Sequence, residues 1–218
     1  MTQPQRLCLF VRSPRLGQVK TRLASSMGEA GALQAYQYLV AHTLRRLQPM
    51  SAVQRELCVA GDCSDATVQR WSALWRAQIR PQQGKDLGER MHQAIYAPFA
   101  AVGSQQHSAI IVGSDCPSID TALVTLALTR LADDADVVVA PAEDGGYGLI
   151  GLRWRQPRAF AASPFAHVDW GTARVFDQTQ ERCTSLGLRL SVLPTVWDVD
   201  EADDWLRFKA EFGLPDLP

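Results

Sequence analysis

The chain has 218 residues, with 22 basic and 23 acidic side chains and a formal net charge of -1. Hydrophobic residues make up 46% and charged residues 21%, which excludes wholesale disorder. The balanced charge gives no sign of nucleic-acid binding. No stretch approaches the roughly 18 apolar residues of a membrane span.

The polar start, Met1 to Arg6, and the brief apolar run behind it do not make a signal peptide, so a cytoplasmic protein is expected. The length suits a single domain over residues 1–218. Cys8, Cys58, Cys63, Cys116 and Cys183 are odd in number and irregular in spacing, which argues against a disulfide framework. Cys58 and Cys63 have no second Cys or His pair to complete a zinc site, and the four histidines form no ligand spacing.

In chain order, Leu7–Val11 reads as a buried strand. Gly28–Leu47 reads as a helix, with Leu33, Tyr36, Leu39, Val40, Leu44 and Leu47 at three- and four-residue spacing. Glu56–Ala60 is a second strand, and Ser64 is placed to cap a helix through Trp75. Gln78–Arg80 gives a weak third strand and Leu87–Phe99 a helix. Ala109–Val112 is a strong buried strand, followed by a helix over Ile119–Leu131. Strands follow at Asp136–Ala140 and, too soon for a helical crossover, at Tyr147–Leu152. A helix over Thr172–Leu186, a strand over Leu188–Leu193 and a closing helix over Ala202–Phe212 complete the pattern. Such alternation implies a largely parallel sheet covered on both faces. Ligands of such sheets collect beyond the carboxyl ends of the strands, so chemistry is expected in the loops that follow them.

The first such loop is Arg12-Ser-Pro-Arg-Leu-Gly-Gln-Val-Lys-Thr-Arg22. From Arg6 to Gly28 there are five basic residues and no acidic one. Arg12, Lys20 and Arg22 suit phosphate oxygens, and Pro14 and Gly17 shape a turn whose N–H groups can face an anion. A solvated basic loop is the plainer alternative, but the position directly after a buried strand favours an anion site. Neither a Walker A nor a GxGxxG pattern is present.

The second loop is Gly113-Ser-Asp-Cys-Pro117. Asp115, at the end of the strongest strand, is a candidate ligand for Mg²⁺ or Mn²⁺, or simply a turn or helix-capping residue. Ser114 lacks the flanking glycines of a nucleophile elbow, and Cys116 reads as a packed thiol. The third loop is Pro141-Ala-Glu-Asp-Gly-Gly-Tyr147. Gly145 and Gly146 allow positive φ and close approach of a ligand to the backbone, although Asp144-Gly145 is also a hairpin signal.

Late in the chain, Asp198-Val-Asp-Glu-Ala-Asp-Asp204 holds five carboxylates. In extended chain Asp198 and Asp200 point to one side, an arrangement that calls for a cation between them. Glu201, Asp203 and Asp204 suit the first turn of the closing helix. Basic residues after the first strand and carboxylates after later ones suggest a phosphate-bearing ligand bridged to the protein by a divalent metal.

Five blocks together make the chain resemble a bacterial family of glycosyltransferase-like proteins known as DUF2064, in the nucleotide-diphospho-sugar transferase superfamily. They are Phe10–Leu23, Gly84–Met91, Gly113–Pro117, Pro141–Tyr147 and Asp198–Asp200. Some members are labelled arsenosugar-biosynthesis glycosyltransferases. The resemblance implies a three-layer αβα Rossmann-like sandwich of glycosyltransferase-A type. Its mostly parallel sheet would carry one antiparallel strand, for which Tyr147–Leu152 is the candidate. It implies that Lys20 and Arg22 hold nucleotide phosphates, that Asp115 is the metal aspartate, and that Asp198 or Asp200 completes the metal site. Gly84–Met91 would lie near the base or second substrate, or else form a helix start capped by Asp86. Arg12 stands where the family usually has Lys. Gly148 stands where it has an aromatic, implying a wider acceptor pocket.

The activity this implies is metal-dependent glycosyl transfer from a nucleotide sugar to a small-molecule acceptor. Lys20 would aid departure of the diphosphate, and Asp144 would bind or deprotonate the acceptor hydroxyl. The alternative is nucleotidyl transfer from a nucleoside triphosphate to a phosphorylated small molecule, because the Lys-Thr-Arg-Leu stretch also looks like the phosphate loop of phospholactate guanylyltransferases. A third reading is a non-catalytic nucleotide-binding module. No nucleic-acid or membrane partner is expected, and the oligomeric state is left open.

Overall fold

The apolar run near the start of the chain forms β1 (Gln5–Arg12), and it is central in both space and sequence logic. Its residues alternate between two cores. Leu7, Leu9 and Val11 face one, while Cys8 faces the other. Both faces are buried, so the strand reads as a continuous hydrophobic run rather than an alternating one. The computed structural model describes residues 5–50, 52–96, 107–154 and 158–214.

The elements after β1 follow in order. They are α1 (Thr21–Leu47), β2 (Gln54–Ala60), α2 (Ala66–Trp75), β3 (Gln78–Pro81), α3 (Leu87–Tyr96), β4 (His107–Gly113) and α4 (Thr121–Asp133), then β5 (Val137–Pro141), β6 (Tyr147–Trp154), α5 (Val175–Ser185), β7 (Leu190–Val192) and α6 (Ala202–Phe212). One seven-stranded sheet has the order β3-β2-β1-β4-β6-β5-β7. β6 runs antiparallel to both β4 and β5, and the remaining pairings are parallel. The antiparallel strand expected at Tyr147–Leu152 is therefore present, running on to Trp154.

Helices α1, α2 and α4 cover one face through Val40, Trp71 and Val124, and α3 and α5 cover the other through Met91, Ile95 and Cys183. A third cluster joins Leu23 and Leu39 of α1 to Trp197, Val199, Trp205 and Phe208. It seats α6 beside the start of α1. No helix among the described residues is long and apolar enough to cross a membrane.

Several boundaries differ from the sequence expectation, the start of α1 most of all. Helix α1 begins at Thr21 rather than Gly28, and Gly28 itself takes φ 76° and ψ 165°, kinking the helix. Ser25, Ser26 and Gly28 weaken the helical signal there. The cap of α2 is Asp65, whose carboxylate accepts from the N–H groups of Thr67 and Val68, and not Ser64. Ser64 instead donates its hydroxyl to Asp62. The part of the Leu87–Phe99 helix beyond Tyr96 lies outside the described residues.

Candidate active site

The carboxyl ends of the parallel strands deliver the loops at which the charged residues gather. Three backbone contacts bring the acidic ones together. Pro141 and Ala142 extend the line of β5, and Val196 N–H donates to Pro141 O at 2.8 Å while Glu143 N–H donates to Val196 O at 3.1 Å. Val199 N–H donates to Asp115 O at 3.0 Å. The Trp197–Asp200 segment is thus held between the Asp144 turn and the Asp115 loop. Val199 is fully buried in the third core, so its neighbours Asp198 and Asp200 turn outward to the cleft, as their alternation requires.

Lys20 is the hub. Its Nζ lies 2.8 Å from Asp115 Oδ2 and 3.3 Å from Asp200 Oδ1, and its side chain is 7% exposed. Its backbone is left-handed, φ 46° and ψ 50°, at the start of α1. A non-glycine residue held there marks a position over-determined by its surroundings. Burial alone would push the ammonium down, but Asp115, with Asp200 and Asp198 behind it, holds it above its ordinary value. Burial would raise the Asp115 carboxyl, and the Lys20 charge and hydrogen bond outweigh it and hold it low. Arg22 Nη1 binds the other Asp200 oxygen at 2.8 Å. The sequence expectation had Lys20 and Arg22 facing nucleotide phosphates. In this structure both are engaged by carboxylates, because the basic loop folds onto the acidic ones.

Asp198 is different. Burial first, then Asp115 and Asp144, push its carboxyl up to about 6. It sits in a field of its own sign. The buried Cys116 thiol is pushed well up by burial and then by Asp115, so it stays protonated as a packed group. Asp144 is exposed, with its Oδ1 accepting from Gly146 N–H at 2.8 Å.

The cleft has two adjoining lobes that share Arg22, Leu87, Asp115 and Asp200. The larger, about 840 Å³, is bounded by the basic loop with Arg12, Gly17 and Lys20, and by Tyr36, Gln82 and Arg90. The smaller, about 480 Å³, is lined by Asp144, Gly146, Tyr147, Trp170, Thr172 and Asp198. The Gly84–Met91 block lies at the cleft edge, and its Asp86 caps α3 by accepting from Glu89 N–H, while Glu89 accepts from Lys85 N–H.

Two expected residues do other work. Gly145 does not line the cleft. At φ 87° it carries the turn past Ala173, whose carbonyl a Cβ would strike. Gly148 does not widen the pocket either, since a Cβ there would fall 2.6 Å from Cys116 Sγ and 2.8 Å from Val196 Cγ2. Sequence reasoning missed Trp170 and Thr172 as site residues. Their only signal was the Asp-Trp-Gly-Thr run ahead of α5.

The expected metal residues do not form a closed cage. Among the described residues, the only group of three His, Cys, Asp or Glu ligand atoms within 4.8 Å of one another is Cys8, Glu56 and Cys58. That group is already charge-satisfied, since Glu56 binds Arg6 at 2.7 Å and faces Arg80 at 3.4 Å. At the cleft the Lys20 ammonium stands among the carboxylates as a built-in cation. Hard oxygen donors gathered around a positive centre are the donor set that Mg²⁺ or Mn²⁺ takes.

A family described as "Uncharacterized protein conserved in bacteria (DUF2064)" matches residues 43–172. The chain belongs to this family. No curated protein matches it. Among solved structures it is similar to a Desulfovibrio desulfuricans G20 protein provisionally described as a nucleotide-diphospho-sugar transferase. The identity is 30% and the TM-score 0.80, over 96% of this chain and 87% of that one. It also shares its fold with 4-diphosphocytidyl-2C-methyl-D-erythritol synthase from Anaerococcus prevotii DSM 20548, at 9% identity and TM-score 0.61 over 95% and 97% of the two chains. A Mycobacterium tuberculosis glucosyl-3-phosphoglycerate synthase, solved with Mn²⁺, uridine diphosphate and glucosyl-3-phosphoglycerate, matches at 10% identity and TM-score 0.53 over 98% and 81%. This DUF2064 member thus has the mixed α/β fold found in nucleotide-sugar transferases and cytidylyltransferases.

Proposed function

We propose that this protein is a divalent-metal-dependent glycosyltransferase that moves a sugar from a nucleotide sugar to a hydroxyl of a small molecule. The observation that carries this reading is the split character of the cleft. One lobe is rimmed by Arg12, Lys20 and Arg90, and the other by Asp144 and Asp198, with Arg22, Asp115 and Asp200 on their shared border. The first suits a diphosphate, and the second suits hydroxyls. The similarity to the D. desulfuricans protein supports a nucleotide-linked donor.

Asp115 and Asp198 are the residues that would hold the metal. Both oxygens of Asp200 are already taken by Lys20 and Arg22, so Asp200 serves to orient these cations. A divalent metal held by these two carboxylates would supply positive charge against the leaving diphosphate. Arg12, Arg22 and Lys20 bind phosphate oxygens, and Lys20 adds positive charge as the bond from the anomeric carbon to the diphosphate breaks. Asp144, on an exposed turn at the acceptor lobe, accepts the proton of the attacking hydroxyl as the new carbon–oxygen bond forms. The buried thiol of Cys116 takes no part.

The test is product analysis with a panel of nucleotide sugars and nucleoside triphosphates in Mg²⁺ or Mn²⁺. The reading requires a free nucleoside diphosphate and a glycosylated acceptor. Release of pyrophosphate from a triphosphate instead would identify a nucleotidyltransferase and overturn it. Binding with no product from any member would leave a nucleotide-binding module.

A further inference from the structure

We propose that the smaller lobe takes an uncharged, hydroxyl-bearing acceptor, a neutral sugar or polyol, and discriminates against the corresponding phosphate esters. This rests on the donor assignment given above and adds the class of the second substrate.

The argument begins with where the cations are. The lobe is bordered by the carboxylates of Asp115, Asp144, Asp198 and Asp200 and by one guanidinium, Arg22. Arg22 is held by Asp200 at 2.8 Å and, in the donor assignment above, is committed to the diphosphate. Arg174, one residue beyond the lining residue Ala173, is engaged with Asp169 at 2.8 Å. The neighbouring lobe holds Arg12, Lys20 and Arg90 in addition. A divalent cation would neutralise two of these carboxylates, but the donor diphosphate brings negative charge of its own. Asp144 would then still face the acceptor. A phosphate monoester placed beside it would meet like charge without a free cation, and like-charge juxtaposition is a strong device for rejecting a ligand.

What the lobe offers instead is an aromatic wall and acceptors for hydroxyls. Trp170 is half-buried and meets Tyr147 edge to face, with centroids 6.2 Å apart. The indole fits where it does because residue 88 is glycine, as a Cβ there would lie 2.6 Å from Trp170 Nε1. The wall is braced before any ligand arrives. Asp169 N–H donates to Gln178 Oε1 at 2.7 Å, Gln178 Nε2 donates back to Asp169 Oδ2 at 2.8 Å, and Thr172 Oγ1 donates to Asp169 O at 2.9 Å. An aromatic face with a few convergent polar groups is the composition of a small-molecule pocket. A molecule with an apolar ring face and hydroxyl edges satisfies both halves.

The experiment uses the full chain in two stages. Nucleoside diphosphates with Mg²⁺ are titrated first. Ligand-observed NMR then follows a panel of neutral hexoses, pentoses and glycerol, each beside its phosphate ester, on the protein holding the diphosphate that bound. Neutral members should bind at least tenfold more tightly than their esters. Trp170→Ala should weaken them, and the charge reversal Asp144→Lys, on an exposed turn, should shift the preference toward the esters. Esters binding as tightly as, or more tightly than, the neutral compounds would overturn the proposal. So would absence of binding by every neutral member while the diphosphate binds, with the donor reading left standing. Failure of every diphosphate to bind would overturn the donor reading and this inference with it.

Discussion

Lys20 Nζ and Asp115 Oδ2 lie 2.8 Å apart although 95 positions separate the two residues in the chain. The pair joins the basic loop after β1 to the acidic loop after β4, and Lys20 occupies part of the space that a metal at Asp115 would claim. In the proposed function a resident ammonium and an incoming divalent cation would compete for the same carboxylate. A nucleotide diphosphate would relieve the conflict by giving Lys20 another anion.

Replacing Lys20 separates these roles. In Lys20→Met, Mn²⁺ binding without nucleotide should tighten, because Asp115 and Asp200 lose their internal cation. Nucleoside diphosphate affinity should fall by about 10- to 100-fold, the equivalent of one charged hydrogen bond. Calorimetric titration of each ligand alone measures both. Unchanged Mn²⁺ affinity would show that Lys20 and metal do not share the carboxylate.

Asp198 is a group held in place against its own electrostatics. Its neighbours Asp115 and Asp144 disfavour its charge. Asp198→Asn should therefore raise the melting temperature of the metal-free protein at neutral pH while removing the further rise produced by Mg²⁺ or Mn²⁺. Stability gained at the expense of function is the usual mark of a site residue. A variant that melts lower yet keeps the full metal response would return Asp198 to a structural role.

His42 couples acid sensitivity to the loop that carries Asp115. Its Nε2 hydrogen-bonds Pro117 O at 3.0 Å, and its ring packs edge-on against Phe208 and Phe212 of α6. Burial, with Arg46 and Arg45 nearby, lowers its pKa below the ordinary 6.5 despite the Pro117 carbonyl. The folded state thus favours the neutral ring, and the unfolded chain binds more protons between the lowered value and 6.5. Stability from this site is full above about pH 6.5 and declines as pH falls below it. The melting temperature of the wild type should drop between about pH 7.5 and about pH 5 more steeply than that of His42→Gln. Parallel pH profiles would exclude His42 as the cause.

The strands were legible because Leu7–Val11, Ala109–Val112 and Val137–Ala140 are apolar runs whose two faces are both buried. The acidic and basic residues of the cleft were legible because each directly follows such a run or stands beside a helix start. What the sequence could not carry was their pairing. No spacing rule connects Lys20 to Asp115, or distinguishes Asp200, held by two cations, from Asp198, held by none of those ion pairs. Trp170 was missed because it comes from an irregular segment with no periodicity. The Asp65 cap was missed by one residue because Ser64 and Asp65 both carry a capping oxygen. Gly145 was read for ligand approach, although its φ of 87° beside Ala173 gives a packing reason for glycine.

That last point is testable by itself. Gly145→Ala forces a Cβ against Ala173 at a positive φ and should destabilise the fold by about 1–3 kcal/mol. Because Phe176 N–H donates to Gly145 O at 2.9 Å, the start of α5 should loosen with it. Urea unfolding and amide exchange at Phe176 read the two effects. A neutral substitution would show that the turn can open without cost.

The most direct measurement is a thermal-shift panel of nucleoside mono-, di- and triphosphates and nucleotide sugars, each with Mg²⁺, Mn²⁺ or chelator. A ligand at about 100 times its Kd stabilises the native state by about 2.7 kcal/mol, or roughly 5–10 °C for a chain of this size. One nucleotide sugar and its matching diphosphate should shift the wild type by that amount in metal, and Asp115→Asn should lose the shift. No shift with any nucleotide, or a shift indifferent to both metal and Asp115, would contradict the account.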